Sequence, residues 1–266
     1  MTGLTRAWRA LPDLFAVSAA EIAAWRAELA LWVLTATLPM IQAALWDTVA
    51  ADGPVAGFDR AGLSRYFAAT LLVRQLTASW VVWALNGEIR TGSLSVKLLK
   101  PIHPLWQYAA QMGLAMPLRL AVLAPILAAW VAWRPALWRW PAPQECAAFL
   151  VSVALAWAIA FLVQAWIATA AFWLDKTDAL WGLWFACWMV ASGYTAPMAT
   201  LPPAAAAWAR WGPFYATLGA PVEILAGCCP DPVAAIATQA GWAGGLLWLT
   251  RATWRAGVRR YGAFGA

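Results

Sequence analysis

Long apolar runs separated by short polar segments extend along almost the whole chain. The runs cover residues 29–50, 66–85, 105–133, 146–174, 179–199 and 232–250. Each run is continuously apolar, whereas the strands of a membrane β-barrel alternate between apolar and polar residues. A helix needs about 20 apolar residues to cross the hydrocarbon core of a bilayer. The pattern therefore predicts an all-α membrane protein with six transmembrane helices.

Polar residues divide the chain into three predicted regions. We expect a cytoplasmic or interfacial amphipathic segment at residues 1–28, a transmembrane domain at 29–250 and a basic cytoplasmic tail at 251–266. The first segment is predicted to lie along the membrane surface, because apolar residues recur in it at helical spacing. These residues are Leu11, Leu14, Phe15, Ile22 and Trp25.

Composition and charge agree with one membrane domain. Of the 266 residues, 64% are hydrophobic and 11% are charged, whereas soluble domains carry about 25% charged residues. The net charge of +6 does not indicate a nucleic-acid partner, because the basic residues lie between apolar runs and not on one soluble face. Placing both termini in the cytoplasm puts eleven Lys and Arg residues inside and five outside. This bias favours that orientation in a bacterial inner membrane.

The segment at residues 86–104, between the second and third runs, mixes apolar with charged residues. A short amphipathic helix here, ended by Pro101 and Pro104, would dock into a groove of a cytoplasmic partner. The alternative is a solvated turn whose basic residues only mark the cytoplasmic side of the membrane. The residues themselves favour neither interpretation.

The segment at residues 192–231 is unusual because six prolines interrupt it. Its apolar parts, 204–211 and 214–226, are each too short to span a bilayer. They predict re-entrant or interfacial helices on the outer side of the membrane. Non-helical backbone at that depth persists only where it is buried in protein or lines a cavity.

Both segments resemble those of type-2 ABC exporter permeases, in particular the bacterial subfamily paired with daunorubicin-type ATPases. In segment 86–104 the resemblance is carried by Ile89, Arg90, Gly92, Leu94, Leu99, Pro101 and Pro104. In segment 192–231 it is carried by Pro197, Leu201, Pro202, Pro213, Phe214, Tyr215, Pro221 and Gly227. The tail at 259–265 resembles the closing R-Y-x-x-x-G motif of the family. One departure is Lys100, where arginine is more usual in the family.

The resemblance implies a permease that pairs with a second permease copy, as a homodimer or heterodimer, and with two copies of a cytoplasmic ATP-binding cassette subunit. Such a permease exports an amphiphilic drug, natural product, peptide or lipid-linked molecule. The residues expected to couple it to the ATPase are Glu88, Ile89, Arg90, Gly92, Leu94 and Pro101. The chain contains no G-x-x-x-x-G-K-[ST] phosphate loop. We therefore expect it to bind no cofactor and to be no enzyme, with ATP and Mg²⁺ bound by the partner.

Two arginines, Arg74 and Arg119, lie inside predicted spans. A charge at the bilayer centre costs about 2.5–3.5 kcal/mol on insertion scales, so each should face protein or water. They would bind an anionic group of the substrate. In the alternative they form structural contacts with Glu28, Asp47 or a backbone carbonyl.

Phe214, Tyr215 and Leu218 are expected to form an apolar plug above the seam between the two permease copies. Glu223 would lie nearby as part of the gate. In the alternative, the aromatic residues only anchor the segment at the level of the lipid headgroups, and Glu223 faces external water.

Two other functional classes fit the sequence less well. An ion-coupled secondary transporter usually has paired broken spans in two related halves and intramembrane acids. The chain shows no internal repeat and few acids in its spans. A membrane-embedded enzyme would need a metal cluster or a nucleophile–base pair, and the four cysteines and one histidine fit no metal-binding spacing.

Overall fold

The computed structural model describes residues 26–261 except 134, 136–138, 140 and 175. Helices make up most of this part of the chain, which contains no β-strand and a single isolated bridge between Val55 and Phe58. The predicted all-α class is therefore confirmed. The predicted interfacial segment 1–28 lies outside the described residues up to residue 25.

Eleven α-helices follow one another along the described residues. They are α1 (Arg26–Val49), α2 (Arg60–Leu76), α3 (Val81–Thr91), α4 (Leu94–Leu98), α5 (Pro104–Trp133), α6 (Pro143–Thr169), α7 (Asp178–Ala191), α8 (Pro203–Trp211), α9 (Pro213–Thr217), α10 (Gly219–Ala226) and α11 (Pro232–Arg260). Short 3₁₀ turns cover Ala170–Phe172 and Met198–Thr200. The chain divides into two compact units between residues 38 and 39, inside α1. The packing given below is that of the described residues from 39 onwards.

Three stretches of the described chain are long and apolar enough to cross a membrane: Arg60–Thr91, Pro104–Trp133 and Pro143–Phe172. They coincide with the second, third and fourth apolar runs, so the chain is a multi-pass membrane protein. The first and sixth runs are helical as well, in α1 and α11. Helix α7, in the fifth run, has 14 residues and rises about 21 Å, less than the roughly 30 Å of a hydrocarbon core. Membrane crossing by α1, α7 and α11 stays a prediction.

The second span is broken, although the apolar run 66–85 predicts one continuous helix. Helix α2 ends with Thr77 as its C-cap, and α3 begins at Val81. Around the break, the Thr77 hydroxyl donates to the Val73 carbonyl at 2.9 Å, and the Ser79 hydroxyl accepts from the Val81 N–H at 3.5 Å. Such side chains offer the backbone an alternative to helical hydrogen bonds. The last carbonyls of α2 are consequently left in need of other donors.

Helix α7 ends at Ala191, well before the end of the predicted run 179–199. The chain turns at Gly193, whose φ of 86° lies in the left-handed region that glycine adopts without steric cost. The Tyr66 hydroxyl donates to the Gly193 carbonyl at 2.7 Å. A Cβ at position 193 would clash with that same hydroxyl. The turn therefore depends on glycine for two independent reasons.

Segment 192–231 folds into short helices separated by prolines, as its sequence predicts. Pro203 and Pro213 each occupy the first position of a helix, where the missing N–H would have no helical partner in any case. The predicted piece 214–226 is two helices, because Leu218 leaves the helical conformation with φ −140°. Helices α9 and α10 pack against α6, and α10 also packs against α2. They rest on protein, whereas their depth in the bilayer stays a prediction.

The main hydrophobic core joins α3, α5, α6 and α11. Helices α6 and α11 pack along much of their length. Close to the C-terminal end of α11, Gly257 lets the ring of Phe172 approach the helix backbone, and a Cβ there would clash with that ring. The core therefore fixes α11 against the end of α6.

Candidate functional site

Glu88 and Lys97 of segment 86–104 and Tyr108, just after it, join three helices, and we call these three residues the clamp. The Glu88 carboxylate of α3 accepts hydrogen bonds from Lys97 Nζ of α4 and from the Tyr108 hydroxyl of α5, each at 2.6 Å. Lys97 Nζ also lies 3.8 Å from the centre of the Tyr108 ring. The clamp is only partly open to solvent, since the Lys97 and Glu88 side chains are 18% and 24% exposed. Glu88 is thus engaged inside the chain.

The structure distributes the other predicted coupling residues between core and surface. Ile89 and Leu94 are buried in the main core, and Gly92 caps α3 in a left-handed conformation with φ 78°. Arg90 and Pro101 are exposed. The prediction of one amphipathic helix is therefore wrong in detail, because a glycine turn separates the end of α3 from the five-residue α4. Pro104 begins α5 and does not end a helix.

Three large apolar side chains within seven residues of segment 86–104 are exposed, and we call these three residues the docking patch. Val96 is 61% exposed, Leu99 is 87% exposed and Ile102 is 57% exposed. Arg90 and Lys100, also exposed, belong to the same segment. Apolar side chains grouped on a surface and accompanied by charges are typical of a protein or membrane contact.

Segment 86–104 also contacts the C-terminal end of α11. The His103 and Trp254 rings lie 5.0 Å apart, and Phe172 packs edge-on against both Trp254 and Tyr261 at 5.9 and 5.7 Å. Burial, with a smaller effect of the positive Arg251, lowers the pKa of His103 below its ordinary value. These aromatic contacts thus connect segment 86–104 with α11.

Arg119 of α5 reaches the break in the second span. Its Nη1 donates to the carbonyls of Ala78 and Gln75 at 2.8 and 3.3 Å, and its guanidinium lies 4.8 Å from the Trp80 ring centre. The carbonyl partner that a structural role requires is therefore present. The break supplies these carbonyls because their helical donors are missing.

Arg74 occupies a different position, on α2. Its guanidinium lies 5.1 Å from the ring centre of Trp188 in α7. Each arginine thus rests on an aromatic face, a contact worth about 0.5–2 kcal/mol. A substrate-binding role for Arg74 stays a prediction.

Glu223 is 2% exposed and lies at the centre of a polar cluster in segment 192–231. It accepts a hydrogen bond from the Tyr215 hydroxyl at 2.7 Å and faces the Arg210 guanidinium at 3.5 Å. The Cys228 N–H donates to the Glu223 backbone carbonyl, and burial raises the pKa of the Cys228 thiol to about 12. In this conformation Glu223 does not face water.

The predicted plug residues differ in exposure. Tyr215 and Leu218 are buried within the chain, whereas Phe214 is half-buried and packs against Trp184 with the ring centres 4.4 Å apart and the planes tilted by 39°. Phe214 and Trp184 line an apolar groove of about 460 Å³ between α6, α7 and α11. Of the three, Phe214 alone therefore presents its ring to an open space.

Gln239 of α11, absent from the predicted set, holds together three elements. Its Nε2 donates to the carbonyls of Ser152 and Ala216 at 3.0 and 2.8 Å, and its Oε1 accepts from the Ser152 hydroxyl at 2.9 Å. The side chain is fully buried. The sequence shows an amide residue within an apolar run, which is a signal for an interhelical hydrogen bond. It does not show the partners, which lie 87 and 23 residues away.

Comparison with known families agrees with this architecture. Residues 53–265 match the model of the family described as ABC-2 family transporter protein, whereas no curated protein and no solved structure matches the chain. Among the described residues, no group of three or more His, Cys, Asp or Glu is placed to hold a metal ion. Members of this family are membrane permeases that work with an ABC ATPase subunit. Since the match covers well over half of its length, the chain belongs to the ABC-2 family of transporter proteins and is a membrane subunit of an ABC transporter.

Proposed function

We propose that this chain is the permease of an ATP-driven exporter in the bacterial inner membrane, with both termini in the cytoplasm. Two permease copies would move an amphiphilic molecule outward while two ABC ATPase subunits bind ATP and Mg²⁺. Family membership supports the transporter role. The outward direction and the dimer rest on the resemblance of segments 86–104 and 192–231 to exporter permeases, and the orientation rests on the Lys and Arg distribution.

The docking patch carries the proposal for ATPase contact. Val96, Leu99 and Ile102 cost free energy while exposed to water, and covering such side chains stabilises a complex by about 1.5–3 kcal/mol for each one fully buried. Arg90, exposed in the same segment, provides a charge that no described ion pair engages. This surface suits a groove with apolar walls and an acidic edge.

The clamp would transmit ATPase docking to the membrane-spanning helices. Because Glu88 ties α4 to both α3 and α5, a displacement of α4 by the ATPase would act on the second and third spans together. Glu88 is then a positioning residue, and Arg90 and the docking patch make the contact. This division of roles differs from the sequence-based expectation that Glu88 itself touches the ATPase.

The apolar groove supports an amphiphilic substrate. Its volume of about 460 Å³ falls within the 300–1,000 Å³ typical of small-molecule sites. Trp166, Trp173, Trp184 and Phe214 line it, so a planar or chain-like apolar group would pack against aromatic faces. We place the substrate path along this groove, with Phe214 as the movable part of the plug.

The test is a pair of matched valine substitutions, Val96→Asp in the docking patch and Val233→Asp at the start of α11. Both valines are exposed, so neither aspartate disturbs the core. Each variant is purified with its cognate ATPase, and retained ATPase and substrate-stimulated hydrolysis are measured. Loss of about 1.5 kcal/mol of contact predicts at least tenfold weaker retention for Val96→Asp. Equal retention by both variants would refute docking at this patch.

A further inference from the structure

A cavity of about 220 Å³ lies between α2, α5 and α10, away from the docking patch and the substrate groove. Its described lining combines two guanidinium groups, those of Arg65 and Arg139, with apolar side chains that include Leu72, Leu127 and Leu225. Arg65 lies in the second turn of α2, and Arg139 lies in the connection between α5 and α6. Both arginines are therefore close to ends of membrane-spanning stretches, where headgroups are found.

The Arg65 side chain is partly buried and has no polar partner among the residues that the structure describes. Its Nε is buried and lacks a hydrogen-bond partner, and no described ion pair includes this residue. A buried donor left without an acceptor typically costs about 1–3 kcal/mol, and more for a charged group. A ligand in the native membrane that accepts a hydrogen bond from Arg65 would remove this cost.

Arg139 supplies a second, already oriented guanidinium. Its Nη2 contacts both carboxylate oxygens of Glu145 at 2.8 and 3.0 Å, which fixes the group in place. The guanidinium lies so close to Gly227 that a Cβ there would clash with it. Glu145 pairs with Arg139, and no described ion pair includes Arg65, so among the described residues one of the two positive charges has no carboxylate partner.

We propose that this cavity binds the phosphate headgroup of a membrane phospholipid. Guanidinium groups match phosphate oxygens in charge and geometry, and the apolar wall of Leu72, Leu127 and Val131 gives the start of an acyl chain a surface to cover. Free inorganic phosphate would satisfy the arginines but leave that wall in contact with water. The ligand that fits both parts is an anionic amphiphile.

The site lies against α10, through Leu225 and through the contact of Arg139 with Gly227. A bound lipid would therefore brace the segment that carries Glu223 and the plug residues. Lipid binding does not depend on the proposed export function, because it requires neither ATP nor an ATPase.

The experiment measures lipid binding to the full-length, purified chain by native mass spectrometry in detergent. The probes are phosphatidylglycerol, diacylglycerol, which lacks the phosphate, and inorganic phosphate, which lacks the acyl chains. The variant is Arg65→Gln, and the matched control is Arg60→Gln on the same helix, whose side chain is half exposed and does not line the cavity. Because the buried Arg65 Nε lacks a hydrogen-bond partner among the described residues, Arg65→Gln should unfold at the wild-type temperature or above it when no lipid is added.

We expect phosphatidylglycerol to bind the wild type and Arg60→Gln equally and Arg65→Gln at least about tenfold more weakly, as loss of a charged hydrogen bond implies. Diacylglycerol should not compete with it. Unchanged phosphatidylglycerol binding by Arg65→Gln would overturn the site. Equal binding of diacylglycerol would show that only the apolar wall acts, and binding of inorganic phosphate alone at the same affinity would show that the ligand is a free anion. Either result overturns the lipid assignment.

Discussion

Removing one hydroxyl from the clamp tests whether Glu88 acts inside the chain or on the ATPase. Tyr108→Phe deletes the 2.6 Å hydrogen bond to Glu88 and keeps the ring beneath Lys97 Nζ. The Glu88–Lys97 ion pair at 2.6 Å stays intact. The substitution therefore isolates one charge-assisted hydrogen bond.

The expected loss follows from the surroundings of the carboxylate. Hydrogen bonds to charged groups contribute about 1.5–3 kcal/mol to stability. Since the Glu88 side chain is 24% exposed, water reaches the carboxylate and replaces part of the lost bond. We expect Tyr108→Phe to lower the free energy of unfolding by about 1–1.5 kcal/mol, at or just below the bottom of that range.

The assay is reversible unfolding in mixed detergent and SDS micelles, followed by intrinsic fluorescence. A double-mutant cycle with Glu88→Gln should recover most of the Tyr108→Phe effect as coupling between the two residues. Arg90→Gln is the matched control, because Arg90 is exposed and should leave unfolding unchanged while it weakens ATPase retention. If Glu88→Gln weakens retention and leaves unfolding unchanged, the clamp is not a structural element and Glu88 contacts the ATPase directly.

Three further predictions concern the packing of α11 and the thiol of segment 192–231. Gly257→Ala should destabilise the chain by about 1–2 kcal/mol, because overpacking against Phe172 exceeds the helix-propensity gain, and an added Phe172→Leu should restore stability in the same unfolding assay. Gln239→Leu keeps the side-chain volume but removes three hydrogen bonds, so we expect a loss of about 1–3 kcal/mol; wild-type stability would show that the amide network does not form. In a variant whose only thiol is Cys228, maleimide labelling at pH 7 should be very slow and should accelerate as pH rises towards the pKa of about 12, since only the thiolate reacts. Rapid labelling at pH 7 would contradict burial of this thiol.

Sequence patterns that act locally predicted much of the fold. Continuous apolar runs located three stretches that can cross a membrane, because an apolar helix satisfies its own backbone polar groups. The prolines of segment 192–231 predicted short helices, because a proline at the first helical position, as at Pro203 and Pro213, costs no helical hydrogen bond, whereas inside a helix it removes one. Both signals are properties of a few neighbouring residues.

The remaining features depend on partners that are distant in the sequence. The break between Leu76 and Val81 lies inside an apolar run, and its carbonyls are satisfied by Arg119, about forty residues away. The partial burial of Glu88 likewise depends on Tyr108. A carboxylate in a segment of mixed polarity is expected to face solvent, and only the position of α5 shows that it does not. The early end of α7 had a local signal at Gly193, which a hydropathy pattern alone does not register.

Helix α11 contacts both candidate sites, segment 86–104 and segment 192–231. Its 29 residues extend about 44 Å. Within it, about 22 Å of helix separates Gln239, near α9, from Trp254, which contacts Phe172 and His103. The only proline of α11 stands at its first position, so nothing of that kind kinks the helix between the two ends. In the proposed cycle, an ATPase that displaces segment 86–104 would therefore shift α11 as one body. The buried amide of Gln239 would transmit that shift to the Ala216 carbonyl, next to the plug residue Tyr215. This route requires α11 to be continuous and to be held tightly to its neighbours at both ends. The close packing of Gly257 against Phe172 and the hydrogen bonds of the buried Gln239 hold it there.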